Sequence, residues 1–446
     1  MTDLLVGIDV GTTRVKAVAT DLALTVLGEH AVPTPWRHSG SHADADPAAL
    51  AAAAVEAAGG AAQAAGGRAL AVGVTGMSET GVLLDGHGTP LAPALAWHDP
   101  RGDCAAVAAE LGEDAFRRAT GRTLTPVPSL PTLLWLRRNV PAARAAVRYL
   151  SVPEWTVHAM GGDQVNELSL VSRTGLFDIA AKQPWAAGLA MLDATPDLLG
   201  QIVGAGEPVG RVHDEAPPAL RGAVLTVAGH DHQTAAYALG AARAGALLDS
   251  LGTAEALLRT IPAPLAAAAV EALADAGVTT GWGVVPGHLC LLAALPTGIS
   301  LERLGAMVGA PTPAERIELG RRALSADRSA TQTRVTAGFH GLTLHDVDDE
   351  ATPEVVWAVA VEDISAAGAA MLAAMSAVAG PHTEVLVTGG WLHNPMVRAV
   401  KTRQFGAFTT RELAEPGALG AAELAGVAAG VVAPRWEPDR PDQAPR

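Results

Sequence analysis

Residues 4–20 read LLVGIDVGTTRVKAVAT, and this stretch sets the fold class that the chain is expected to have. Its apolar run, residues 4–8, ends at Asp9 and Gly11, which predicts a buried strand closed by a tight turn. Residues 15–20 are rich in β-branched side chains and follow that turn directly, as the second strand of a hairpin would. The stretch therefore predicts a β-hairpin with a glycine at its bend.

Helical and strand patterns alternate along the chain after this hairpin. An alanine-rich helix is expected to begin at Asp46 and Pro47, because aspartate is a favoured N-cap and proline suits the first helical turn. Apolar runs at residues 69–75 and 81–85 predict strands. This alternation of strands and helices predicts an α/β architecture.

A second strand–turn–strand unit is predicted at residues 246–259, with Gly252 and Thr253 at its bend. A strand at residues 384–388 leads into a third turn, which is formed by a pair of glycines. The first two units share one outline: an apolar strand, a Gly-Thr turn and another apolar strand. We therefore expect two similar halves in the chain.

Domain boundaries follow from this repeat. Residues 1–240 are expected to form an N-terminal domain and residues 241–432 a C-terminal domain, each long enough to bury its own core. Residues 433–446 are proline-rich and charged, which predicts a flexible tail.

Composition excludes several classes of partner. The 446 residues carry a formal net charge of −15, whereas nucleic-acid binding needs clustered Lys and Arg. The two cysteines, Cys104 and Cys290, lack the spacing of a zinc site.

The amino-terminal residues lack the basic region of a signal peptide, and the alanine-rich stretches 48–66 and 367–379 look too short and interrupted to span a bilayer. We expect a cytoplasmic protein without a nucleic-acid or membrane partner; a homodimer is one oligomeric state left open.

The first turn has the chemistry of a phosphate site. Gly11 lets a ligand approach the backbone closely, and the N–H groups and hydroxyls of Thr12 and Thr13 can form a concave anion site. Lys16 is placed to reach a terminal phosphate, and Asp9 to hold a hydrated Mg²⁺. An ordinary hairpin turn uses the same residue types, so the turn alone leaves both interpretations open.

The turn at residues 250–253 has the same chemistry in the second half of the chain. Its candidate phosphate contacts are Gly252 and Thr253. Two such turns that face each other could hold a triphosphate between the domains, and a plain hairpin is again the alternative.

The order of these motifs resembles that of the FGGY-type carbohydrate kinases, the group that holds glycerol kinase and xylulokinase within the actin/Hsp70-like ATPase superfamily. Each motif alone is a weak match, and their order makes the resemblance specific. It covers nearly the whole chain. The matching stretches are residues 9–13, 72–79, 96–101, 120–121, 172–178, 228–231, 250–253, 389–394 and 415–420.

This resemblance implies two ribonuclease H-like domains of the actin-like ATPase type, with an active-site cleft between them. It also implies a kinase that uses ATP and Mg²⁺ to phosphorylate a hydroxyl of a small sugar or polyol. The N-terminal domain would bind the sugar and the C-terminal domain the nucleotide.

Asp231 follows an apolar run and a glycine, so it is expected at the exposed end of a strand, where ligands bind in open α/β sheets. From the residues alone it could equally be the N-cap of the helix predicted at residues 232–239. The resemblance favours the role of catalytic base, which accepts the hydroxyl proton during phosphoryl transfer. His230 and His232 flank it; two histidines without further ligands do not make a metal site, and His232 is a candidate substrate contact.

Candidate substrate contacts besides Asp231 are Ser78, Glu79, Trp97, Asp99 and Glu255. In the family, the first two positions contact substrate hydroxyls, and a Trp-x-Asp element lines the pocket. Trp97 could instead be a packing aromatic at an interface. Glu255 could face the pocket or be a solvated strand residue, and the sequence does not decide.

The pair Ser78 and Glu79 matches neither the Arg-Glu of glycerol kinases nor the Met-His of xylulokinases. Three further positions depart from the known relatives. Val127 stands near the place of a glycerol-kinase tyrosine, Thr132 replaces a common lysine, and Glu255 stands where many relatives have a small or apolar residue. Strict glycerol kinase activity is therefore not expected, and a ketose or short polyol is preferred as substrate.

The nucleotide end is predicted at Gly389, Gly390 and Asn394. A glycine pair lets the backbone lie flat against an adenine or the α-phosphate, and an asparagine amide can hydrogen-bond a base or ribose. Asn394 before a proline is also good N-cap chemistry, which needs no ligand.

Two other functions stay in view. One is a catalytically silent sugar-binding homologue, and the other is a nucleotide-dependent switch protein of the same superfamily. The intact residues Asp9, Thr13, Asp231 and Gly252 favour the kinase.

Overall fold

The structure is a computed structural model that describes residues 2–329, 331–339, 341–349 and 351–435. Most of the predicted tail, residues 436–446, lies outside the described residues. Strands and helices alternate along the chain, which confirms the α/β prediction.

The strands in chain order are β1 Thr2–Val10, β2 Arg14–Thr20, β3 Val26–Pro33, β4 Arg37–Ser39, β5 His42–Ala45, β6 Gly67–Gly76, β7 Gly81–Leu84, β8 Ala94–Leu95, β9 Arg148–Ser151, β10 Val165–Glu167, β11 Phe177–Asp178, β12 Gln183–Pro184, β13 Gln201–Val203, β14 Val224–His230, β15 Ala246–Leu251, β16 Glu255–Pro262, β17 Thr279–Trp282, β18 His288–Leu295, β19 Arg334–Gly338, β20 Gly341–His345, β21 Glu384–Thr388 and β22 Thr409–Thr410. The helices are α1 Pro47–Ala65, α2 Cys104–Leu111, α3 Glu113–Thr120, α4 Ser129–Asn139, α5 Val152–Ala159, α6 Leu168–Val171, α7 Ala186–Ala190, α8 Asp231–Ala238, α9 Ala267–Asp275, α10 Thr297–Met307, α11 Pro313–Ala323, α12 Pro353–Ala379, α13 Pro395–Phe405 and α14 Pro416–Ala428.

The first half is built on a sheet with the strand order β14-β6-β1-β2-β3. Strands β1, β2 and β3 form an antiparallel meander, so the predicted hairpin around Gly11 is confirmed. Strands β6 and β14 run parallel to β1. Helix α1 covers one face of this sheet and starts as predicted, with the Asp46 side chain accepting a hydrogen bond from the N–H of Ala48 at 3.0 Å.

The second half repeats this arrangement in a sheet with the order β17-β18-β16-β15-β21-β22. Strands β15, β16 and β18 pair antiparallel, and β21 and β22 run parallel to β15. These strands therefore correspond in order and direction to those of the first sheet, with β17 added at one edge. The shared topology confirms the predicted similarity of the two halves.

The helix that follows each sheet packs against the other half. Helix α8 follows β14, yet its Ala236 and the C-cap residue Leu239 share a core with strands β15 and β16. Helix α14 follows β22, yet its Ala418 and Ala422 share a core with strands β1, β2 and β6. The two helices also pack against each other. Although the sequence division assigns α14 to the C-terminal domain, its packing places it on the N-terminal sheet.

Glycines let α14 approach the first sheet closely. A Cβ atom at Gly7 of β1 would lie 1.8 Å from the carbonyl oxygen of Ala418, and one at Gly73 of β6 would lie 2.1 Å from that of Ala421. Real Cβ atoms do not come this close to a backbone oxygen, so the two strands need glycine where the helix crosses them.

Two of the described helices, α1 and α12, are long and apolar enough to cross a membrane by length and composition alone. The prediction that the stretch 367–379 is too short for this is wrong, because it is part of the 27-residue helix α12. Both helices bury apolar side chains within the protein, including Leu50 of α1 and Trp357 of α12. A core helix has this composition as well.

Candidate active site

Strand register brings the predicted residues of the first half to one edge of the sheet. Val10 at the end of β1 pairs with Gly76 at the end of β6, and Gly76 pairs with His230 at the end of β14. The three strands are parallel, so their carboxyl ends meet at this edge. The residues that follow each strand are the first turn, the segment 77–79 and Asp231.

The carbonyl groups of the first turn are tied back to the segment 34–36. Thr34 Oγ1 donates to Gly11 O at 2.7 Å, Trp36 Nε1 to Thr12 O at 2.6 Å, and the N–H of Thr34 to Thr13 O at 3.1 Å. In a trans peptide the N–H points opposite to the carbonyl. The N–H groups of Thr12, Thr13 and Arg14 therefore point away from this segment, which leaves them oriented to bind an anion.

Asp9 lies at the end of β1, in a cluster of charged groups. Burial and repulsion from Asp231 raise the pKa of Asp9 to about 7. Among the described residues, none donates a hydrogen bond to its buried Oδ1. Lys16 Nζ lies 2.7 Å from Glu415 Oε2 and is therefore paired with a carboxylate. Glu415 itself has a left-handed backbone with a φ of 48° at the start of α14, a conformation that costs free energy in a non-glycine residue.

Asp231 is the first residue of α8, and its side chain is 29% exposed. The N-cap of this helix is His230, so the cap interpretation of Asp231 is not what the structure shows. Burial raises the pKa of Asp231. Its Oδ1 accepts a hydrogen bond from the N–H of His232 at 2.6 Å and lies 3.2 Å from His230 Nε2. Burial lowers the pKa of His230 well below its usual value, so this imidazole is neutral.

The carboxylate of Glu79 is enclosed by two arginines. Arg122 Nη2 donates to Glu79 Oε1 at 3.1 Å, and Arg173 Nε donates to the same oxygen at 2.9 Å. Ser78 Oγ donates to Glu79 Oε2 at 2.6 Å. Burial would raise the pKa of Glu79, but the charges of Arg173 and Arg122 outweigh it and lower that pKa. Any substrate hydroxyl that contacts Glu79 therefore meets a carboxylate held in place by these partners.

Trp97 connects the first turn to the segment before α2. Its Nε1 donates to Thr12 Oγ1 at 2.9 Å, which places the indole beside the phosphate turn. Asp99 is only 1% exposed, and its two oxygens accept hydrogen bonds from Ala43 N and from the guanidinium of Arg101. The predicted substrate contact by Asp99 is thus not supported, because both oxygens already have partners; Asp99 holds the loop that carries Trp97.

The turns of the second half also meet at one sheet edge. Ser250 of β15 pairs with Thr388 of β21, so the turn at Gly252 and Thr253 adjoins the glycine pair Gly389 and Gly390. Gly389 has a φ of 107°, and a Cβ atom there would lie 2.2 Å from Leu251 O. The predicted phosphate and nucleotide turns are therefore neighbours in space.

Two predicted contacts are buried in the protein interior. Glu255 is fully buried; its Oε1 lies 2.5 Å from Lys401 Nζ, and its Oε2 accepts a hydrogen bond from Thr297 Oγ1 at 2.7 Å. The carboxylate is thus a core ion pair and cannot face a substrate. Asn394 is 2% exposed, and its Oδ1 accepts hydrogen bonds from the N–H groups of Met396 and Val397.

Asn394 is therefore the N-cap of α13. Its Nδ2 donates to Arg316 O at 2.7 Å, so both ends of the amide are occupied. The predicted hydrogen bond from Asn394 to a base or ribose is not supported, because the amide is buried and already binds the backbone of α11 and α13.

Arg122 and Arg173 are the functional candidates that the sequence analysis missed. Arg173 lies in the matching stretch 172–178, and Arg122 directly follows the matching residues Thr120 and Gly121. The position of each arginine in or beside a matching motif is the feature of the sequence that could have indicated its role. Nothing in the sequence indicates that these two side chains meet at Glu79, since they are brought there by α3 and the segment after α6.

Known proteins resemble this chain over most of its length. A sequence model of the FGGY family of carbohydrate kinases, N-terminal domain, matches residues 4–238. A glycerol kinase from Methylorubrum extorquens (strain PA1) is 32% identical over 213 residues, which are 45% of this chain and only 42% of that relative. A xylulose kinase from Streptomyces rubiginosus is 28% identical over 464 residues, which are 97% of this chain and 91% of that relative.

The fold is likewise similar to a known structure. The crystal structure of Plasmodium falciparum glycerol kinase with ADP superposes with a TM-score of 0.85 at 16% sequence identity, over 98% of this chain and 91% of that one. At this identity the match concerns the fold alone. It confirms the expected two-domain, actin-like ATPase architecture.

Proposed function

The chain belongs to the FGGY family of carbohydrate kinases, and from that premise we propose that it uses ATP to phosphorylate a hydroxyl of a small ketose or polyol, with Asp231 as general base. The observation that carries this proposal is the register of β14, β6 and β1, because it sets Asp231 at the same sheet edge as the first turn. Phosphoryl transfer needs a base for the hydroxyl and a cradle for the phosphates in one place.

In the proposed step, the substrate hydroxyl oxygen attacks the γ-phosphorus of ATP while the bond from this phosphorus to the bridging oxygen of ADP breaks. The hydroxyl proton passes to the Asp231 carboxylate and is later released to solvent. A raised pKa of Asp231 favours this transfer, because a base with a pKa closer to the working pH accepts the proton more readily. Neutral His230 and the N–H of His232 hold Oδ1 in place.

The phosphates of ATP would be bound by the backbone N–H groups of Thr12 and Thr13 and by the hydroxyls of the same residues. Gly252 and Thr253 would supply the opposing turn, and the adenosine would lie against Gly389 and Gly390. To bind a phosphate oxygen, Lys16 would have to break its ion pair with Glu415. The glycines leave room for the ligand at these turns.

Asp9 fits a magnesium site that is completed by the nucleotide. Magnesium in kinases is bound through one or two carboxylates together with phosphate oxygens and waters, and Asp9 has a buried Oδ1 without a partner among the described residues. Across the same part of the chain, no group of three or more His, Cys, Asp and Glu side chains forms a metal site by itself. When bound, Mg²⁺ would neutralise charge on the phosphates.

We assign sugar binding to residues 1–240 and nucleotide binding to residues 241–432. Helix α14 is the exception to this division, because it packs on the first sheet. We place the activity in the cytoplasm, as for an enzyme that depends on a supply of ATP.

The proposal is tested by measuring ATP consumption with tetruloses, pentuloses, hexuloses and alditols. At least one substrate should raise turnover above the rate without sugar. Asp231→Asn should lower kcat by about 10²–10⁴-fold, because the isosteric amide cannot accept the proton. Asp85→Asn is the matched control, since Asp85 lies in an exposed turn where it accepts hydrogen bonds from the N–H groups of His87 and Thr89.

Two results would overturn the proposal. If no sugar or polyol raises ATP turnover while one of them raises the melting temperature, the chain is a sugar-binding homologue without activity. If Asp231→Asn retains full turnover, another group is the base.

A further inference from the structure

Arg122 is a buried cation with unused hydrogen-bond donors. The residue is 4% exposed, and its Nη2 donates to Glu79 Oε1 at 3.1 Å. In the part of the chain that the structure describes, no acceptor lies within hydrogen-bond distance of its buried Nε and Nη1. A guanidinium carries five N–H donors, so most of the donors of Arg122 await a partner.

Such a group is costly to leave unsatisfied. A buried charged donor without an acceptor loses its hydration and gains nothing in return. Arg173 differs, because it donates to both Ser78 and Glu79. Both arginines contact the Glu79 carboxylate, and the charge of Arg173 also acts on Asp231.

Other polar atoms that lack a partner belong to residues connected to Glu79 or Arg122 through the backbone. They include the buried hydroxyls of Thr80 and Thr280, for which the described residues offer no partner. Thr80 follows Glu79 in sequence, and the N–H of Thr280 donates to Gly121 O at 3.0 Å, directly before Arg122. The region therefore combines a buried guanidinium that has unused donors with two hydroxyl groups that have no partner among the described residues, as a site for a polar ligand does.

This region adjoins the proposed base. Glu79 follows β6 at the edge where Asp231 follows β14. The charges of Arg173 and Arg122 both act on His230, which contacts Asp231. A small substrate that offers a hydroxyl to Asp231 would thus extend its other end toward the arginines.

We propose that the substrate is a sugar acid, such as an aldonate, and that Arg122 binds its carboxylate; this rests on the proposed kinase function. Guanidinium and carboxylate match in geometry and form charge-assisted hydrogen bonds. A carboxylate offers two acceptor oxygens to the donors that Arg122 leaves unused. A phosphate group would bring nearly two negative charges next to Glu79, and an uncharged alditol would offer the guanidinium only neutral, weaker acceptors.

The test compares aldonates of four to six carbons with the alditols of the same chain length and configuration. With the wild-type enzyme, one aldonate should have a kcat/KM at least about 100-fold above that of its alditol, because a site built for a polar group rejects the analogue that lacks it. Arg122→Gln should lower kcat/KM for that aldonate about 100-fold more than for the alditol, because both substrates lose the support that Arg122 gives Glu79 but only the aldonate loses a partner for its carboxylate. Arg122→Lys should retain an intermediate preference.

Arg137→Gln is the matched control. Arg137 is also a buried arginine of the first half, but its guanidinium donates to the carbonyl oxygens of Leu192 and Ala146. It should lower the melting temperature without changing the ratio of aldonate to alditol turnover. If Arg122→Gln does not fold, the wild-type ratio and the Arg122→Lys variant still decide the question.

The outcomes separate the two proposals. Turnover of ketoses or alditols with no preference for an aldonate, or a preference for a phosphorylated sugar, overturns the sugar-acid assignment and leaves the kinase proposal intact. Failure of every sugar, alditol and aldonate to raise ATP turnover overturns the kinase proposal itself.

Discussion

At the residue scale, Glu167 supports the strand end that carries Asp231. Its Oε2 accepts hydrogen bonds from the N–H and the hydroxyl of Ser169, at 2.9 and 2.5 Å. Ser169 Oγ in turn accepts a hydrogen bond from the N–H of His230 at 3.0 Å. This chain of contacts fixes the backbone directly before the proposed base.

Glu167 should make stability depend on pH. Burial raises its pKa to about 8, above the ordinary value of 4.5. Between these values the folded state binds a proton that the unfolded state lacks, so this contribution to stability is complete below pH 4.5 and is lost as the pH rises through 8. Glu167→Gln cannot titrate. The wild type therefore loses stability relative to the variant as the pH rises. The difference between their unfolding free energies should change by at most about 1.4 kcal/mol per pH unit in this window, in favour of the variant.

Urea unfolding of both proteins from pH 5 to pH 9 measures this difference. Glu110→Gln, at an exposed position of α2, is the control and should show no such trend. A constant difference between Glu167→Gln and the wild type across the window would contradict the assignment.

Individual side chains were the hardest features to predict from the sequence. The phosphate turns lie where the motifs place them, because a glycine turn is a local property of the backbone. Glu255, Asn394 and Asp99 carry plausible ligand chemistry, but tertiary contacts that no local pattern reveals occupy their polar atoms.

At the element scale, a buried ion cluster joins α13 to the second sheet. Lys401 of α13 lies 2.9 Å from Asp249 Oδ2 of β15 and 2.5 Å from Glu255 Oε1 of β16, and all three side chains are fully buried. Burial and repulsion from Glu255 raise the pKa of Asp249 to about 7. Only the ammonium makes it favourable to bury both carboxylates.

Lys401→Met should destabilise the protein by about 3–5 kcal/mol, because two buried acidic groups lose their cation. Glu255→Gln should cost less, since Lys401 and Asp249 then remain as a balanced pair. Chemical denaturation of the two variants gives both numbers. The interpretation fails if Lys401→Met is as stable as the wild type or if Glu255→Gln is the more damaging change.

Elements were predicted better than side chains. Strands predicted at residues 69–75, 246–251 and 384–388 lie within β6, β15 and β21, because buried strands are continuous apolar runs that end at glycine. The composition of the stretch 367–379 predicts only a short helix, since nothing in it indicates that α12 begins at Pro353.

At the scale of the whole molecule, the exchanged helices α8 and α14 bind the two halves together. Each sheet completes its core with a helix that follows the other sheet in the chain. The sequence predicted the repeat of the sheets from their turns. It could not predict the exchange, because an alanine-rich helix fits the apolar face of either sheet.

Gly73→Ala should weaken this connection. The added Cβ would lie 2.1 Å from Ala421 O, and relieving the clash would move α14 at a cost of about 1–3 kcal/mol or more. Because α14 and α8 pack together, the two halves should still unfold as one unit. Unfolding curves followed by tryptophan fluorescence and by far-ultraviolet circular dichroism should therefore coincide and have a midpoint below that of the wild type.

Gly86→Ala is the control for this change, because a Cβ atom at Gly86 meets nothing within 4 Å. This variant should leave the midpoint of the unfolding transition nearly unchanged. Two separated transitions in Gly73→Ala, or the same midpoint as the wild type, would show that α14 does not link the halves in this way.

The exchange of helices also bears on how the chain is made. The ribosome completes strands β1, β6 and β14 long before it reaches α14, by on the order of 10 s at ordinary elongation rates. During that interval the apolar face around Leu5, Val18 and Ala71, which α14 covers in the finished protein, has no partner from its own chain. The nascent first half should therefore bind a chaperone until translation of the second half is complete.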